Sequence, residues 1–428
     1  MRMLEETEQQ ALTIFKKLLK IDTTNGEKKE REAAEYLEEI LLEVGIPVHF
    51  YEKTSGRTNL VAKLVGGEEE PLYLISHLDV VGVEEAKWEQ PPFSGVEVDG
   101  VIWGRGTLDT KQLTAMQVSA FLELARMKDS LNRDVYLLAT ADEENGSSEG
   151  MEFLKKTHLE LFQKGMVINE GGGFTVNYKG HTYLLFTAGE KGVAKVKVIA
   201  RGQGGHASCP PENQAILTLA MAMERLLSWS YPKHSTKVSN KYKQVLGIKD
   251  VSFVSKTEDE KLLVDLLEYM ETSGPFVNQL EIGSVVNAIP YLAEVELEFR
   301  LVPGITKEQL SRWMAEALKG VDVEFEITSL EEGFECALDS PYLEMMGKAL
   351  KDAGSKATLL PFLALGRTDG RYYGDTRSAI YGFSPLTEKD SFVRVLKKVH
   401  NHNENITRES FLFGTNVLSL LIQSICRK

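Results

Sequence analysis

A short apolar run that ends in clustered acidic residues is the feature that most constrains how this chain can fold. Residues 135–139, Val-Tyr-Leu-Leu-Ala, have the length and composition of a buried strand. They lead into Asp142, Glu143 and Glu144, and the Asn-Gly dipeptide that follows is a turn signal. Neighbouring carboxylates raise each other's pKa unless a cation or a hydrogen-bond donor compensates. The pattern indicates either a solvated acidic turn or a site in which one glutamate binds a metal and its neighbour acts as a base.

Two further apolar runs end in residues of the same kind. Residues 72–75 form a continuous apolar run, typical of a strand buried on both faces, and His77 and Asp79 follow closely. Residues 166–168 form another such run, and Glu170 follows. Sites in α/β sheets gather at the carboxyl ends of strands, and a metal-bound histidine usually donates its other N–H to a carboxylate or carbonyl. Taken singly, His77 could be a structural core histidine, and Glu170 could be a solvated loop carboxylate.

Two later segments add donors. The glycine-rich residues 104–111 carry Asp109 just before a predicted helix, and this aspartate taken alone could be only the N-cap of that helix. The apolar positions of the helix recur at helical spacing, and they are Leu113, Met116, Ala120, Phe121 and Leu124. Near the end of the chain, His400 precedes the last predicted helix, residues 407–425.

Histidine and carboxylate donors without cysteine suit a catalytic zinc site that keeps a position open for water. The donors at strand ends and loop entries are His77, Asp109, Glu144, Glu170 and His400. This set is too large for one such ion, but it suits two ions roughly 3.5–4 Å apart if one carboxylate bridges them. Glu143, the free carboxylate beside a ligand, is then the candidate general base.

The pattern of apolar and charged residues changes at about residue 190. Residues 293–301 alternate strictly between apolar and charged side chains, as a half-exposed strand does. Residues 306–309, Thr-Lys-Glu-Gln, form a capping box that opens a helix. A glycine-rich loop, residues 202–208, carries His206, and residues 230–275 read as a polar and irregular insertion. Together these features predict a compact α+β unit.

The length of 428 residues favours two domains over one. We predict an α/β domain formed by residues 1–189 and 331–428, and a smaller α+β domain, residues 190–330, inserted between these two parts.

Charge and cysteine content limit the partners and the compartment. The formal net charge of −14 argues against a nucleic-acid partner, because phosphates require a basic face. Cys209, Cys336 and Cys426 are scattered and form neither a disulfide framework nor a Cys-x-x-Cys zinc site, which fits a reducing compartment, the cytoplasm. The first ten residues are polar and acidic, unlike a signal peptide. No run of 18 apolar residues occurs, so we expect no membrane span.

Short motifs occur in order between about residues 10 and 425. They are His77-Leu78-Asp79-Val80-Val81, the Trp88…Pro92-Phe93 loop, Gly104-Arg105-Gly106…Asp109-x-Lys111, Asp142-Glu143-Glu144, Asn169-Glu170-Gly171-Gly172, Gly205-His206-Ala207-Ser208 and His400…Asn403-Glu404. The ordered set resembles the dizinc amidohydrolase and exopeptidase family, whose members include aminoacylase, acetylornithine deacetylase, succinyl-diaminopimelate desuccinylase, carboxypeptidase S and glutamate carboxypeptidase. The Trp/Pro/Phe loop and residues 189–192, Gly-Glu-Lys-Gly, most resemble the carboxypeptidase S branch.

This resemblance implies a zinc-exopeptidase-like catalytic domain with a mixed sheet between helices, and an inserted lid domain that often also forms a homodimer. It implies two divalent metal ions per chain, either zinc or, in its place, cobalt or manganese. His77 and Glu170 would bind one ion. Glu144 and His400 would bind the other, and Asp109 would bridge the two.

The resemblance also implies roles around the metals. Asp79 would orient His77, and Glu143 would be the general base and then the acid that protonates the leaving nitrogen. His206 of the lid would polarise the scissile carbonyl, in its own chain or across a dimer interface. Three residues match positions that hold the substrate carboxylate in relatives: Asn287, Arg300 and Arg371. The first two could instead bond the lid backbone or a neighbouring glutamate.

Three residues depart from the family pattern: Thr110, Asn145 and Arg367. They leave the shape of the substrate pocket and its preference for substrate charge open. His402 lies two residues after His400, but the spacing to Glu404 favours His400 as the ligand.

The resemblance implies hydrolysis of an amide bond next to a free carboxylate, in a dipeptide, a short peptide C-terminus or an N-acyl amino acid. A metal-bridging water would attack with the assistance of Glu143. A biosynthetic N-deacylase of the acetylornithine or succinyl-diaminopimelate type is one alternative, and a catalytically inactive binding protein on the same fold is another. Every expected ligand and the base are present, which speaks against the inactive protein.

Overall fold

The structure, a computed structural model, describes residues 2–26, 30–127, 130–249, 256–283 and 287–427. The helices are α1 (Arg2–Lys20), α2 (Arg31–Glu43), α3 (Lys111–Ala125), α4 (Met151–Thr157), α5 (Ala215–Ser228), α6 (Lys237–Leu246), α7 (Glu258–Glu271), α8 (Lys307–Ala317), α9 (Pro341–Asp352), α10 (Phe392–Lys398) and α11 (Arg408–Cys426). The strands are β1 (Val48–Glu52), β2 (Thr58–Leu64), β3 (Glu69–His77), β4 (Glu97–Val98), β5 (Val101–Trp103), β6 (Arg133–Thr140), β7 (Met166–Asn169), β8 (Phe174–Tyr178), β9 (His181–Glu190), β10 (Gly192–Arg201), β11 (Gly205–His206), β12 (Gly274–Ile282), β13 (Ala288–Ile289), β14 (Leu292–Leu301), β15 (Val323–Glu331), β16 (Phe334–Glu335), β17 (Thr358–Ala364), β18 (Ala379–Gly382) and β19 (Asn405–Thr407).

The larger sheet is mixed, as predicted. In the described residues it has the strand order β1-β2-β6-β3-β7-β18-β9-β16, and β8 and β17 also pair with β9. The four central strands β6, β3, β7 and β18 run parallel, whereas β2 is antiparallel to β6. Because β6, β3 and β7 are parallel neighbours, their carboxyl ends lie at one edge of the sheet. The segments that follow His77, Thr140 and Asn169 therefore start side by side.

Helix α3 connects the core to this edge. Its predicted apolar positions are all buried, and it packs against α1, α11 and β3. Its buried polar side chains bond the sheet: Gln117 donates to the carbonyl oxygens of Ile75 at 3.1 Å and Ile168 at 3.2 Å. Buried amide groups need such partners, and here the bonds hold the middle of α3 against β3 and β7, close to the strand ends that carry the candidate site.

Helix α11 is the described helix that is long and apolar enough to cross a membrane by length and composition alone. It packs against α3, α9 and α1, and 56% of its apolar window is buried inside the protein. A membrane-spanning helix would expose this face to lipid, so these contacts are those of a core helix.

The smaller sheet has a core of its own. Its antiparallel strands have the order β12-β14-β10-β15, and α5 and α8 cover one face. The predicted alternation in β14 is confirmed, because Val295, Leu297 and Phe299 are buried whereas the glutamates between them are half-buried. The capping box at Thr306 is also confirmed, with its partner Gln309 at the start of α8.

The interpretation of residues 230–275 as an irregular insertion is wrong. The described part of this segment contains α6 and α7, and α6 begins with a capping box at Thr236. Val238, Tyr242 and Leu246 recur at helical spacing on one face of α6, but the lysines between them hid that periodicity. The buried residues of both helices belong to the core of the larger sheet. The domain boundaries at 190 and 330 stay a prediction, and this segment contributes to the core of the other predicted domain.

Candidate metal centre and active site

His77 ends strand β3 and is fully surrounded by protein. Its Nδ1 lies 2.9 Å from the carbonyl oxygen of Asp79, and its Nε2 lies 3.1 Å from Asp109 Oδ1 and 3.5 Å from Glu170 Oε2. An Nδ1–H that donates to a carbonyl fixes the tautomer in which Nε2 is free to bind a metal. The structure thus brings together the residues predicted for the first metal.

The residues predicted for the second metal also converge. His400 Nε2 lies 3.0 Å from Asp109 Oδ2 and 3.2 Å from Glu144 Oε2. The two carboxylate oxygens of Asp109 therefore face two different histidines, as a bridging carboxylate requires. Helix α3 begins at Lys111 and has Thr110 at its N-cap position, so the alternative that Asp109 only caps this helix is wrong. The Asp109–Thr110 peptide bond is cis.

Glu143 lies between the metal-centre residues and a cation. One of its carboxylate oxygens is within 4.8 Å of the candidate ligand atoms of His77 and Glu170. Its Oε1 lies 3.9 Å from Arg371 Nη1. These distances put Glu143 where a base is needed. They also put it within reach of a metal, and its role as base rather than ligand stays a prediction.

Burial and neighbouring charges shift the pKa values of several groups in this cluster. Burial, together with the charge of Glu170, raises the pKa of Glu143 well above its usual range. Burial raises the pKa of Glu170 to about 7 and also raises that of Glu144, and the charge of Asp109 adds to both effects. Hydrogen bonds to Asp109 and Glu144 raise the pKa of His400 to about 10. Bound divalent cations would relieve this repulsion and lower the pKa values of the same carboxyl groups.

Asp79 does more than contact His77. Its Oδ1 accepts the backbone N–H of Glu143 at 3.1 Å, and its Oδ2 accepts the backbone N–H of Glu144 at 3.1 Å. The Asn25 side chain donates to Oδ2 at 2.6 Å. Asp79 is fully buried, so these bonds hold the turn that carries both glutamates against the end of β3. The sequence predicted its contact with His77, but it carried no sign of Asn25.

A second set of residues holds the acidic turn through side-chain hydrogen bonds, and the sequence offered no indication of it. Asp142 has a positive φ of 66° and accepts from Arg57 Nη2 at 3.0 Å, while Arg57 Nε donates to Glu30 at 2.9 Å. On the other side of the turn, Thr140 Oγ1 donates to buried Asp369 at 2.8 Å. Glu30, Arg57 and Asp369 are distant from the acidic motif in the chain, and no local pattern marks them.

Buried Glu404 connects the two segments that carry His400 and Asp109. It accepts from Arg105 Nη1 and from the Leu108 backbone N–H, each at 2.6 Å. The glutamate of the last motif thus anchors the loop of the predicted bridging aspartate, and it lies four residues after the histidine that faces that aspartate. His400 and His402 are both exposed, and the ring of His400 is the one that lies 3.0 Å from Asp109 and 3.2 Å from Glu144. These contacts favour the ligand that the sequence predicted.

Arg371 lines a cavity of about 370 Å³ beside Glu143. Other cationic side chains line the same cavity, and they are Lys155, Lys191 and Arg367. Arg367 pairs with Glu331. Arg371 donates to Ser147 Oγ at 3.2 Å, and its buried Nε has no hydrogen-bond partner among the described residues. Acidic side chains line the cavity in equal number, and they are Glu190, Glu331, Glu332 and Asp375. The feature that suits a carboxylate is therefore Arg371 itself, with its unused N–H donor.

The three remaining candidates lie in the smaller predicted domain. His206 is exposed, and its Nδ1 is 2.8 Å from Ser208 Oγ. Asn287 is its neighbour in space, because the Asn287 carbonyl oxygen accepts the Ala207 backbone N–H at 3.1 Å. Arg300 pairs with Glu298 at 3.0 Å, as the alternative for this residue anticipated. In the described part of the chain, none of the three forms a hydrogen bond or ion pair with a metal-centre residue.

A mixed α/β sheet with paired histidines and carboxylates at its edge defines an enzyme of the metallopeptidase and amidohydrolase type. Residues 73–424 match the model of Peptidase family M20/M25/M40. The chain belongs to this family, which confirms the class of enzyme that the sequence predicted.

Curated relatives and solved structures agree with this assignment. The chain is 26% identical to aminoacylase-1 of Sus scrofa, and the match covers 98% of this chain and 96% of the relative. It is 26% identical to the N-fatty-acyl-amino acid synthase/hydrolase PM20D1 of Homo sapiens, over 83% and 74% of the two chains.

Two solved structures have the same fold. An M20 family metallo-carboxypeptidase from Sulfolobus solfataricus superimposes with a TM-score of 0.74 at 21% identity, covering 96% of this chain and 98% of that one. Human carnosine dipeptidase 1 superimposes with a TM-score of 0.69 at 14% identity, covering 99% and 97%.

Proposed function

We propose that this enzyme hydrolyses an amide bond next to a free carboxylate, in a dipeptide, a short peptide C-terminus or an N-acyl amino acid, with two divalent metal ions. The observation that carries the proposal is the position of Asp109 between two histidines. Its Oδ1 is 3.1 Å from His77 Nε2, and its Oδ2 is 3.0 Å from His400 Nε2. Glu170 and Glu144 complete the two sets of donors.

The donor set fits divalent metals. Glu144 Oε1 is buried and has no hydrogen-bond partner among the described residues, so this oxygen is available as a ligand atom. Imidazole and carboxylate donors without thiolate suit zinc in a catalytic site, and cobalt or manganese accepts similar donors. When bound, the ions would supply Lewis acidity and lower the pKa of water in the site.

Glu143 moves the proton. As base, its carboxylate takes a proton from the water whose oxygen forms a bond to the scissile carbonyl carbon. As acid, it gives that proton to the nitrogen as the carbon–nitrogen bond breaks, so the base is regenerated. Burial keeps its pKa well above the usual range of a carboxyl group, which favours proton return. Arg371, 3.9 Å away, limits this shift because its charge favours the carboxylate.

Arg371 is also the proposed partner of the substrate carboxylate. Its free Nε–H, its place at the wall of the 370 Å³ cavity and its position 3.9 Å from Glu143 support this role. A guanidinium binds a carboxylate through two parallel hydrogen bonds, which fixes orientation as well as charge. Asn287, Arg300 and His206 remain proposed contributors from the lid, in their own chain or in a second copy.

The exposed edge of the smaller sheet supports a homodimer. Strand β12 ends that sheet, and its exposed apolar residues are Phe276, Val277, Leu280 and Ile282. On the neighbouring helix α5, Leu217 and Met221 are also exposed. An unpaired strand edge with apolar side chains is a pairing surface for another chain. The cysteines are free thiols, which supports the proposed cytoplasmic location.

The test is a substrate panel measured together with metal content. Dipeptides, N-acyl amino acids, N-acetylornithine and N-succinyl-diaminopimelate are compared with matched amides that lack the free carboxylate, in the presence of zinc, cobalt or manganese. We expect hydrolysis to require the carboxylate. Equal rates on the capped amides would contradict the proposal, and selective cleavage of the two biosynthetic intermediates would establish the N-deacylase instead.

A further inference from the structure

A second cavity, of about 140 Å³, opens directly beside the metal centre. Asp109 and Glu170 line it, so it reaches the place where the proposed reaction occurs. Most of its wall is apolar, and the main contributors are Leu108, Phe174, Phe362, Leu365, Phe392 and Leu396. We call it the apolar cavity.

The wall of the apolar cavity has unused groups. Thr110 Oγ1 and Gln112 Oε1 are buried and have no hydrogen-bond partner among the described residues. Leu365 and Leu396 are 39% and 43% exposed at its lining. Buried polar atoms are normally paired, and large apolar side chains gain stability from coverage. Both observations indicate a space that an occupant completes.

The apolar cavity and the 370 Å³ cavity lie on two sides of one loop. Leu365, Gly366 and Thr368 line the apolar cavity, whereas Arg367 and Arg371 line the 370 Å³ cavity. Glu143 contacts Arg371, while Asp109 and Glu170 line the apolar cavity. A molecule with its carboxylate at Arg371 and its scissile bond at the metal centre therefore reaches the apolar cavity with the other half of its amide.

We propose that the apolar cavity binds the acyl half of the substrate and selects an uncharged group of branched-aliphatic or phenyl size. This inference rests on the proposed amide hydrolysis and names the substrate class that the same site prefers. The occupant is the side chain of the amino-terminal residue in a dipeptide, or the acyl chain of an N-acyl amino acid.

Size and charge define this preference. The volume of about 140 Å³ is close to the roughly 150 Å³ of an apolar cavity that holds one benzene molecule. A phenyl or leucine-like group fills this volume, and the outer carbons of a twelve-carbon acyl chain lie beyond it. An acidic group would lie beside Asp109 and Glu170 without a positive partner, which is unfavourable in a buried site.

The experiment measures kcat/KM for one amino acid carrying a series of acyl groups: acetyl, butanoyl, isovaleryl, phenylacetyl, succinyl and dodecanoyl. Each methylene that enters the cavity should raise kcat/KM by about fourfold, the equivalent of about 0.8 kcal/mol per methylene. The increase should extend to isovaleryl and phenylacetyl and stop before dodecanoyl. Succinyl should be the poorest substrate for its size.

Two variants and a control place this selectivity in the apolar cavity. A Cβ added at Gly366 meets no atom within 4 Å, so Gly366→Val fills space without displacing the backbone. Leu396→Asp puts a charge at the lining. Each should lower the phenylacetyl-to-acetyl ratio of kcat/KM by about tenfold or more, because an apolar contact is lost or blocked. Leu159→Asp, at a leucine that is 65% exposed and does not line the cavity, should leave the ratio unchanged.

A binding arm separates this inference from the proposed function. Phenylacetate and acetate are titrated calorimetrically into the metal-loaded wild type and into Gly366→Val. If no substrate of the series is hydrolysed, but phenylacetate binds at least about tenfold more tightly than acetate and the variant removes that difference, the proposed function is wrong and the cavity assignment stands. Hydrolysis or binding that is equal across the series, and equal in both variants, would overturn the inference.

Discussion

The metal centre and the candidate residues of the smaller domain differ in how far one chain organises them. At the metal centre, Asp109 lies 3.1 Å from His77 and 3.0 Å from His400, both distant in sequence, and buried Asp79 holds the adjacent turn. In the smaller domain, exposed His206 bonds only its neighbour Ser208 through its ring among the described residues. One region is assembled within the chain, and we propose that the other reaches the site after domain closure or in a dimer.

The largest expected effect is at Asp109. Asp109→Ala removes the carboxylate that faces both histidines and leaves the repulsion among the glutamates in place. We expect loss of both metals and of activity down to background, since a ligand shared by two ions cannot be replaced by its neighbours. Elemental analysis of the purified variant measures the first effect and turnover the second. His77→Ala, which affects one ion, should retain more metal. A fully active wild type with one ion or none would contradict the two-metal site.

Glu143→Gln tests the assembled region at the proton-transfer step. The amide keeps the size of the side chain but cannot accept a proton as a carboxylate does, so turnover should fall by roughly 10²–10⁴-fold. Metal content should remain at the wild-type value, because Glu143 is not assigned as a ligand. If metal content falls in parallel with turnover, the roles of Glu143 and Glu144 are reversed.

His206→Ala tests the smaller domain, whose candidate residues form no hydrogen bond or ion pair with the metal centre among the described residues. A neutral imidazole that donates to the developing oxyanion contributes a factor of about 10²–10³ in turnover, so the variant should lose most activity while keeping both metals. Substrate binding should change little, because the donated hydrogen bond strengthens only as charge develops on the oxygen.

Subunit mixing then shows which chain supplies His206. Inactive His206→Ala subunits mixed with inactive Glu143→Gln subunits form mixed dimers in which one site has both residues intact, if His206 acts across the interface. We expect partial recovery of turnover, with subunit exchange checked by native mass spectrometry. Full exchange without recovery, or a strictly monomeric enzyme by light scattering, would assign His206 to closure within its own chain.

The sequence predicted the arrangement of the metal centre better than that of the candidate residues in the smaller domain, and the reason is physical. His77 and Glu170 follow apolar runs that are typical of buried strands, and parallel neighbouring strands bring their carboxyl ends to one edge. Local pattern thus determined which donors meet. No local pattern marks Asn25 or Arg57, because their contacts with the acidic turn depend on packing between distant segments.

The misinterpretation of residues 230–275 has a similar origin. In α6 the apolar residues occupy every fourth position, and lysines fill the exposed face between them, so the average composition is polar although one face is fully buried. Helices α6 and α7 follow the first strand of the smaller sheet in the chain, yet they pack in the core of the larger sheet, whose preceding strand is β9. Composition does not show that the chain comes back to the larger sheet at this point.

The smallest expected effect is at the link between the two regions. Glu190 ends β9, immediately before the smaller sheet begins, and its buried carboxyl accepts a hydrogen bond from Thr368. Burial raises the pKa of Glu190 to about 7, above the usual value near 4.5. Between these two pH values the folded state keeps a proton that the unfolded chain has released, so this group makes the protein less stable as pH rises through the window. Glu190→Gln stays neutral throughout.

The stability of the Glu190→Gln variant relative to wild type should therefore increase from pH 5 to pH 8, by no more than about 1.4 kcal/mol per pH unit. Urea unfolding at several pH values measures this difference, and the exposed Glu68→Gln serves as the control that should show no such trend. A difference between Glu190→Gln and wild type that does not change with pH would mean that the carboxylate is already ionised in the folded protein. The link would then carry a buried charge, which Arg371 is placed to balance.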